Sequence, residues 1–398
     1  MNTRMQGALA GLRVVDLTRV LAGPLCTQML ADQGADVIKV EPPSGDETRK
    51  LGPPYDKRGH AAYFSALNRG KRAISLDLSK PEAQQVLHKL LSTADVLIEN
   101  FLPGTMERWG LGYGDVLRPK YPRLVYCSIS GFGKDGPLGG LPGYDAVLQA
   151  LCGLMSINGE ESVGTVKVGM PIVDHLTGYV ALSGILMALY ARATTGEGQR
   201  VEATLFDTAL SLLLPHASNW FASQKVPELL GSAHPNIAPY DKFKARNGDV
   251  FIGIVNDGQF RRFCSQVGLH ELPEDPRFAG NPQRVENRQA LKALIEQAIA
   301  ALDCGELCEA LMRTGVPAGS VNSVPCALNH PHTLHRGSIV RNGDYVGLRS
   351  PMRLNDTVPL PGRPPPGFAQ DTDDVLHELG FDTQDIVHLH ESGAAPRP

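Results

Sequence analysis

In "VGMPIVDHLTGYVALSGILMALYARATTGEG" (168–198) a single acidic residue, Asp174, heads a run that is otherwise almost wholly apolar. Such a carboxylate has two readings. At a helix N-terminus an Asp caps orphan N–H groups and suits the positive end of the helix dipole. A helix that is apolar on nearly all faces is, however, a buried one, and a carboxylate at its head is dehydrated and costly unless chemistry uses it. Gly178, Ala181 and Gly184 permit another backbone to approach closely. His175 is not its partner, because consecutive helical side chains point about 100° apart. The local pattern leaves capping and catalysis both open.

Other segments carry weaker chemical signals. "SGFGKDG" sets Gly131, Gly133 and Gly136 in a G-x-G-x-x-G spacing after a strand-like run. The dinucleotide reading fails on context, since "PLGGLPG" follows where a helix belongs and the ribose-binding acid is missing. "NRGKR" (68–72) is a compact basic patch, either a solvated turn or a counter-charge for phosphates. "ENFLPGTMERWG" (99–110) sets Asn100 at a strand end and Arg108 in a short following helix, where it is either a surface arginine or one placed to reach a pyrophosphate. "CGELC" (Cys304, Cys308) lacks a second pair, and "HPHTLH" (His330, His332, His335) lies around Pro331 without neighbouring Cys or acid. Both read as ordinary thiols and loop histidines, and no metal site is expected.

Positioning these groups requires a framework, and the first 130 residues supply a pattern for one. Strand-like runs at 12–17, 35–41, 73–78, 95–101 and 123–130 alternate with helix-like runs at 23–34 and 81–94. Near-continuous apolar strands between helices indicate a parallel sheet covered on both faces, a doubly wound α/β domain. Ligands in such sheets bind beyond the carboxyl ends of the strands. Those ends carry Thr18–Arg19–Val20, Glu41, Asp77, Glu99–Asn100 and Ser130–Gly131. "QRVEATLF" reads as a further strand, followed by a long helix from near Asp207. The texture then changes, and the expected organisation is a large domain over 1–200, a linker at 201–224, a smaller α/β domain at 225–325 and a return to the large domain over 326–398. An amphipathic helix is expected at 284–302, and "PLPGRPPPGF" (359–368) reads as a stiff extended connector before two short helices.

Composition sets further bounds. The 398 residues are 42% hydrophobic and 20% charged, with a formal net charge of -4, which gives no reason to expect nucleic acid or a membrane as partner. An anionic ligand must therefore be met by local basic groups. The N-terminal residues lack a signal-peptide apolar run, and the densest apolar stretch, 176–191, is short for a membrane span. Seven scattered cysteines fit reduced thiols. A cytoplasmic protein is expected.

The segment "GLRVVDLTRVLAGPLCTQMLADQGADVIKVEPPSGDETR" resembles the opening of the family III CoA-transferases, also called the formyl-CoA and carnitine CoA-transferase family. "NRGKRAISLDL", "ADVLIENFLPGTMERWG", "SISGFGKDGPLGGLPGYDAVLQALCGLM" and "GMPIVDHLTGYVALSGILMAL" resemble it in the same order, down to "DDVLHELGF" near the C-terminus. The resemblance implies a Rossmann-like large domain made from both ends of the chain, a small domain and an interlocked ring-like homodimer. It puts the catalytic aspartate at Asp174. It puts CoA-contacting positions at Val20, Leu76, Asn100, Arg108 and Tyr144. Pro42 and Pro142 stand where some members carry a basic residue, Leu21 stands in place of a glutamine, and a glycine-rich lid is not evident. "GSAHPNIAPYDKFKARNGDV" followed by "NDGQF" looks most like the branch acting on dicarboxylic acids, of which the succinate–hydroxymethylglutarate enzyme is one.

The implied activity is transfer of CoA from an acyl-CoA, with succinyl-CoA as donor, to a dicarboxylic acid. No tightly bound cofactor is implied, because the coenzyme A thioester is itself a substrate. A carboxylate nucleophile gives a mixed anhydride and then an aspartyl thioester, which must be kept from water. Asp174, with an ordinary pKa of about 3.9, is expected to be held ionised by the helix end, and the N–H groups there to steady developing oxyanions. Gly131 and Gly133 are expected to line the thioester. Two rivals share the fold: an acyl-CoA racemase or epimerase, which lacks its imidazole at "GYDAVLQ" (143–149), and a non-catalytic acyl-CoA-binding relative. A nicotinamide oxidoreductase is more distant.

Overall fold

The computed structural model describes residues 7–357 and 362–397, so part of the 359–368 connector lies outside the described residues. The chain forms two compact units. One comprises residues up to 152, 168–212 and from 331 onward; the other comprises 153–167 and 213–330.

The larger unit is built on β1 (Arg13–Asp16), α1 (Ala22–Asp32), β2 (Asp36–Glu41), α2 (Ala62–Leu67), β3 (Arg72–Ser75), α3 (Pro81–Leu91), β4 (Val96–Glu99), α4 (Thr105–Arg108), β5 (Val125–Ser130), α5 (Asp145–Leu151), α6 (Ile172–Thr195), β6 (Arg200–Thr204) and α7 (Leu205–Ser211). Its six strands are all parallel, in the order β3-β2-β1-β4-β5-β6. Val14, Ile38, Ile74, Leu97 and Cys127 are fully buried, as strands covered on both faces must be. The order reverses between β1 and β4, and in such sheets that reversal opens a crevice at the carboxyl ends. On one face α3 packs with α8 (Thr372–Glu378) and α9 (Thr383–Glu391), so the last residues complete the first domain's core through Leu87, Leu90, Leu376 and Leu389. Each such side chain removed from water contributes roughly 1.5–3 kcal/mol.

Three expectations are corrected here. The 201–224 segment is not simply a linker. β6 pairs with β5 from Tyr126↔Arg200 to Ser130↔Thr204, and α7 buries Leu205 and Ala209 against the same unit. The helix expected near Asp207 is short, ending at Ser211 ahead of Pro215. The basic patch 68–72 is not a phosphate site. Arg69 forms a buried pair with Asp32, Lys71 is fully buried against Asp16, and Arg72 bonds Asp36 and Glu378.

The smaller unit has a three-stranded antiparallel sheet, Ala318–Ser320, Gly248–Gly253 and Tyr240–Ala245 in that order. Helices Asp257–Val267, Arg288–Ile299 and Cys304–Arg313 complete a core around Phe243, Phe260, Phe263 and Phe278. The single helix expected over 284–302 is broken at Asn287 into Asn281–Glu286 and Arg288–Ile299. Cys304 and Cys308 are buried free thiols, and His332 and His335 lie on a short helix, Pro331–His335, rather than in a loop. Among the described residues no group of three or more His, Cys, Asp or Glu is placed to hold a metal ion.

α6 is long and apolar enough, by length and composition, to cross a membrane. It instead buries one stripe, Val173, Thr177, Ala181, Leu182, Ile185 and Ala188, at the spacing of a helix packed on one side. A Cβ on Gly178 would lie 2.8 Å from the Ala22 carbonyl, and one on Gly184 would lie 2.6 Å from Val201 Cγ1. The two glycines let α6 lie directly against the start of α1 and the edge of β6.

Candidate active site

Asp174 is the third residue of α6, one turn from Gly178. It does not cap its own helix. The N-cap position is Pro171, which has no side-chain acceptor, and the cap is supplied from elsewhere. Asp145, at the start of α5, accepts the Val173 N–H at 2.7 Å and the Asp174 N–H at 3.0 Å on Oδ2. Its Oδ1 accepts from Gln149 Nε2 at 2.6 Å, and Gln149 Oε1 accepts the Val168 N–H at 2.8 Å. Two side chains of α5 therefore hold both ends of the segment leading into α6.

This arrangement reverses the electrostatic expectation for Asp174. The helix N–H groups that were to keep it ionised, and to serve oxyanions, are taken by Asp145. Burial, reinforced by the Asp145 charge, pushes the Asp174 carboxyl up to about 7. Burial, with Asp174, Asp145 and Asp46 adding to it, likewise pushes the Tyr63 phenol on α2 up to about 12. His175 turns back toward the Pro171 carbonyl, with Nδ1 at 3.1 Å, and does not pair with Asp174.

Asp174 opens into a cleft of ≈ 260 Å³ at the carboxyl edge of the sheet, where Val20, Asn100, Gly131 and Tyr144 also face. Tyr144 is 65% exposed, a side chain with room to meet a ligand. Gly131 is required by close approach: a Cβ there would sit 2.9 Å from the Gly143 amide nitrogen. Gly133 does not line this cleft. α1 begins at Ala22 with no side chain capping its first turn, and Leu21 and Ala22 face the cleft. The positive end of a helix therefore does point into the site, but it belongs to α1 rather than α6.

The β1–α1 turn that carries Val20 is fixed from three sides. Asn100 Oδ1 accepts the Arg19 N–H at 2.9 Å, and its Nδ2 donates to the Arg19 carbonyl at 2.7 Å. Below the turn, Lys39 Nζ donates to the Thr18 carbonyl at 2.8 Å and to Asp46 at 2.9 Å. Asp16 accepts from Thr18, Thr27 and Lys71. Burial alone would raise Asp16, but Lys71 and Lys39 hold it at about 2, while burial brings Lys71 down to about 8 against the pull of Asp16. Val20 adopts φ 69°, a left-handed conformation unfavourable for a β-branched residue, and a fixed surround of this kind is what sustains it.

A second cleft of ≈ 290 Å³ adjoins the first and is lined by Leu76, Pro42, Asp77 and Trp109. Arg19, Phe101 and Leu102 line both. The structure thus gathers Val20, Asn100 and Tyr144 around Asp174 and puts Leu76 next door. Arg108 lines neither; its Nη2 donates to Thr105 Oγ1 at 2.7 Å at the edge of the second cleft.

The model of CoA-transferase family III matches residues 9–372. This chain belongs to CoA-transferase family III. It is 39% identical to the succinate–glutarate CoA-transferase of Agrobacterium fabrum over 93% of this chain and 95% of that protein. It is 38% identical to the acetyl-CoA:oxalate CoA-transferase of Acetobacter aceti over 90% and 93%. The crystal structure of a CAIB/BAIF family protein from Brucella suis superposes with a TM-score of 0.85 at 41% identity, covering 94% of this chain and all of that one. The protein is an enzyme that transfers CoA.

Sequence reasoning did not assign roles to Asp145, Gln149 and Glu47, the last of which lines the Asp174 cleft and pairs with Arg19. For the first two a signal existed in "GYDAVLQ", where an acid and an amide four residues apart share one helix face. What they bind, the amides of Val168, Val173 and Asp174, is a matter of tertiary placement.

Proposed function

We propose that this transferase moves CoA from succinyl-CoA to a dicarboxylic acid, with Asp174 as the nucleophile and Val20, Leu76, Asn100, Arg108 and Tyr144 as CoA-contacting positions. The observation that carries the reading is the Asp174 carboxyl itself. It is enclosed, receives no capping role, and faces a cleft at the carboxyl edge of the sheet. A carboxylate whose affinity for the proton is raised by burial is a stronger nucleophile, once ionised, than a solvated one. The dicarboxylate acceptor rests on the two named relatives, which act on glutarate and on oxalate.

The transfer balances without redox chemistry or net proton movement. An Asp174 oxygen attacks the thioester carbonyl carbon, the C–S bond breaks, and CoA thiolate leaves with the electron pair, giving a mixed anhydride. The thiolate attacks the Asp174 Cγ, expelling succinate and leaving an aspartyl thioester. The acceptor carboxylate attacks Cγ and releases thiolate. That thiolate then attacks the acceptor's acyl carbon, and Asp174 leaves as carboxylate. The start of α1, at Leu21 and Ala22, lines the cleft in which these oxyanions develop, and the positive end of that helix favours them. Excluding water protects both the anhydride and the thioester.

The same reading places the chain in an interlocked, ring-like homodimer. Val180, Met187 and Tyr190, on the side of α6 away from its buried stripe, are exposed, and a continuous apolar face of this kind suits a protein contact. A mass twice that of the chain in light scattering checks it.

Intact-protein mass spectrometry after incubation with succinyl-CoA tests the mechanism. A CoA-sized adduct on the wild type, lost with hydroxylamine and missing from Asp174→Asn, is the expected result. Exchange between CoA esters by Asp174→Asn at more than about a tenth of the wild-type rate would remove Asp174 from the role.

A further inference from the structure

A CoA ester carries a pyrophosphate and a 3′-phosphate, and this protein has a formal net charge of -4. Anion binding therefore has to come from a local cation. Other basic residues are less well placed for it: Arg69 and Lys71 are buried and paired, and Arg108, at the edge of the second cleft, lines neither cleft. Of the residues lining the two adjoining clefts, one is a Lys or Arg. It is Arg19, and it lines both.

We infer that Arg19 is the residue that receives the CoA pyrophosphate, and that Glu47 holds its guanidinium until the ligand displaces it. The inference rests on the reading of the Asp174 cleft as the thioester site. CoA is a linear molecule, with the pyrophosphate between its thioester arm and its nucleoside. With the thioester at Asp174 and the nucleoside in the cleft lined by Leu76, the pyrophosphate falls on the shared wall. The Arg19 backbone is clamped there by Asn100 through two hydrogen bonds, which fixes the root of the side chain.

The guanidinium itself is only lightly held. Nη1 lies 3.1 Å from Glu47 Oε1, and the two side chains are 35% and 56% exposed. Its carbon lies 5.6 Å from the centre of the Phe101 ring, another residue of the shared wall. A solvated pair of this kind holds its partners weakly, whereas a phosphate offers the planar guanidinium a charge-assisted, two-pronged contact. Exchange from Glu47 to phosphate is favourable, and Glu47 is a built-in competitor. The two residues then have opposite effects on affinity, which a merely structural pair would not show.

Calorimetric titration of free CoA and of dephospho-CoA into the full-length protein and its variants tests this. Arg19→Met should weaken both ligands by about tenfold and by the same factor, because both carry the pyrophosphate. Arg19→Lys should fall between wild type and Arg19→Met, because an ammonium keeps the charge and loses the two-pronged contact. Glu47→Gln should tighten binding about two- to fivefold, and Arg19→Met/Glu47→Gln should bind no better than Arg19→Met. CoA affinity within twofold of wild type in Arg19→Met overturns the inference. So does weaker binding by Glu47→Gln, or a loss confined to CoA while dephospho-CoA is unaffected. No covalent step enters these titrations, so their failure and the failure of the Asp174 adduct are separate results.

Discussion

Replacing Asp174 by Asn should make the protein more stable, and increasingly so as pH rises. The carboxyl goes from an ordinary 3.8 to about 7 on folding, so the folded state binds the proton more tightly than the unfolded chain does. For a group whose folded pKa is raised, the stabilising contribution is complete below the unfolded value and is lost as pH rises through the folded one. At about 1.4 kcal/mol per tenfold change in proton affinity, the loss approaches a ceiling of about 4 kcal/mol above pH 7. Asn never ionises and escapes it. Thermal unfolding of both proteins from pH 4.5 to 8.5 is the assay, and the difference between the two melting temperatures is the quantity to follow. Taking the difference cancels every titration except those coupled to Asp174. The gap should widen by about 2–3 kcal/mol between pH 4.5 and 7.5, or about 4–6 °C for a domain of this size, and then level off. A gap that stays flat, or narrows toward alkaline pH, would refute the argument that burial and Asp145 strain this carboxylate.

The same titration should appear in catalysis: kcat/KM should rise with pH through about 7 and level off above it, and an alkaline decline through that range would contradict a carboxylate nucleophile. Gly178→Ala should cost roughly 1–3 kcal/mol despite its better helix propensity, because its Cβ meets the Ala22 carbonyl, and turnover should fall as the α6 start is displaced; unchanged melting and kinetics would disprove the close crossing. Lys71→Met leaves Asp16 charged, buried and short of a partner, so a loss of about 3–5 kcal/mol is expected in denaturant unfolding, with part of it recovered by adding Asp16→Asn.

The strands and the parallel sheet were legible because burial on both faces writes itself as unbroken apolar runs: Val14–Val15, Val37–Ile38 and Leu97–Ile98 all read that way and all lie in the sheet. Asp174 was legible as an anomaly, one acid against an apolar helix. What it would experience was not, since its pKa depends on burial in the folded cleft and on Asp145, 29 residues earlier, being turned toward the same helix end. The patch at 68–72 misled for a related reason. Basic residues in a row look solvated, and only the positions of Asp32, Asp16 and Asp36 reveal that each cation is spoken for. β6 was read as a strand from "QRVEATLF", but Arg200 and Glu202 break the apolar run that marks the other strands, so its place beside β5 in the large sheet was not legible.

The tie between α5 and α6 has an evolutionary consequence. The chain leaves the larger unit after Cys152 and rejoins it at Val168. Gln149 and Asp145 grip the returning segment at Val168 and at the first turn of α6, Val173 and Asp174, so the excursion is cinched at its base. Closing a loop twice as long costs only about 0.6 kcal/mol more. The excursion can therefore change length without moving Asp174, provided that its contacts within the smaller unit, such as the Glu160–Leu230 bridge, are kept. A lineage can remodel that excursion while the Asp174 carboxylate stays where α5 holds its helix end.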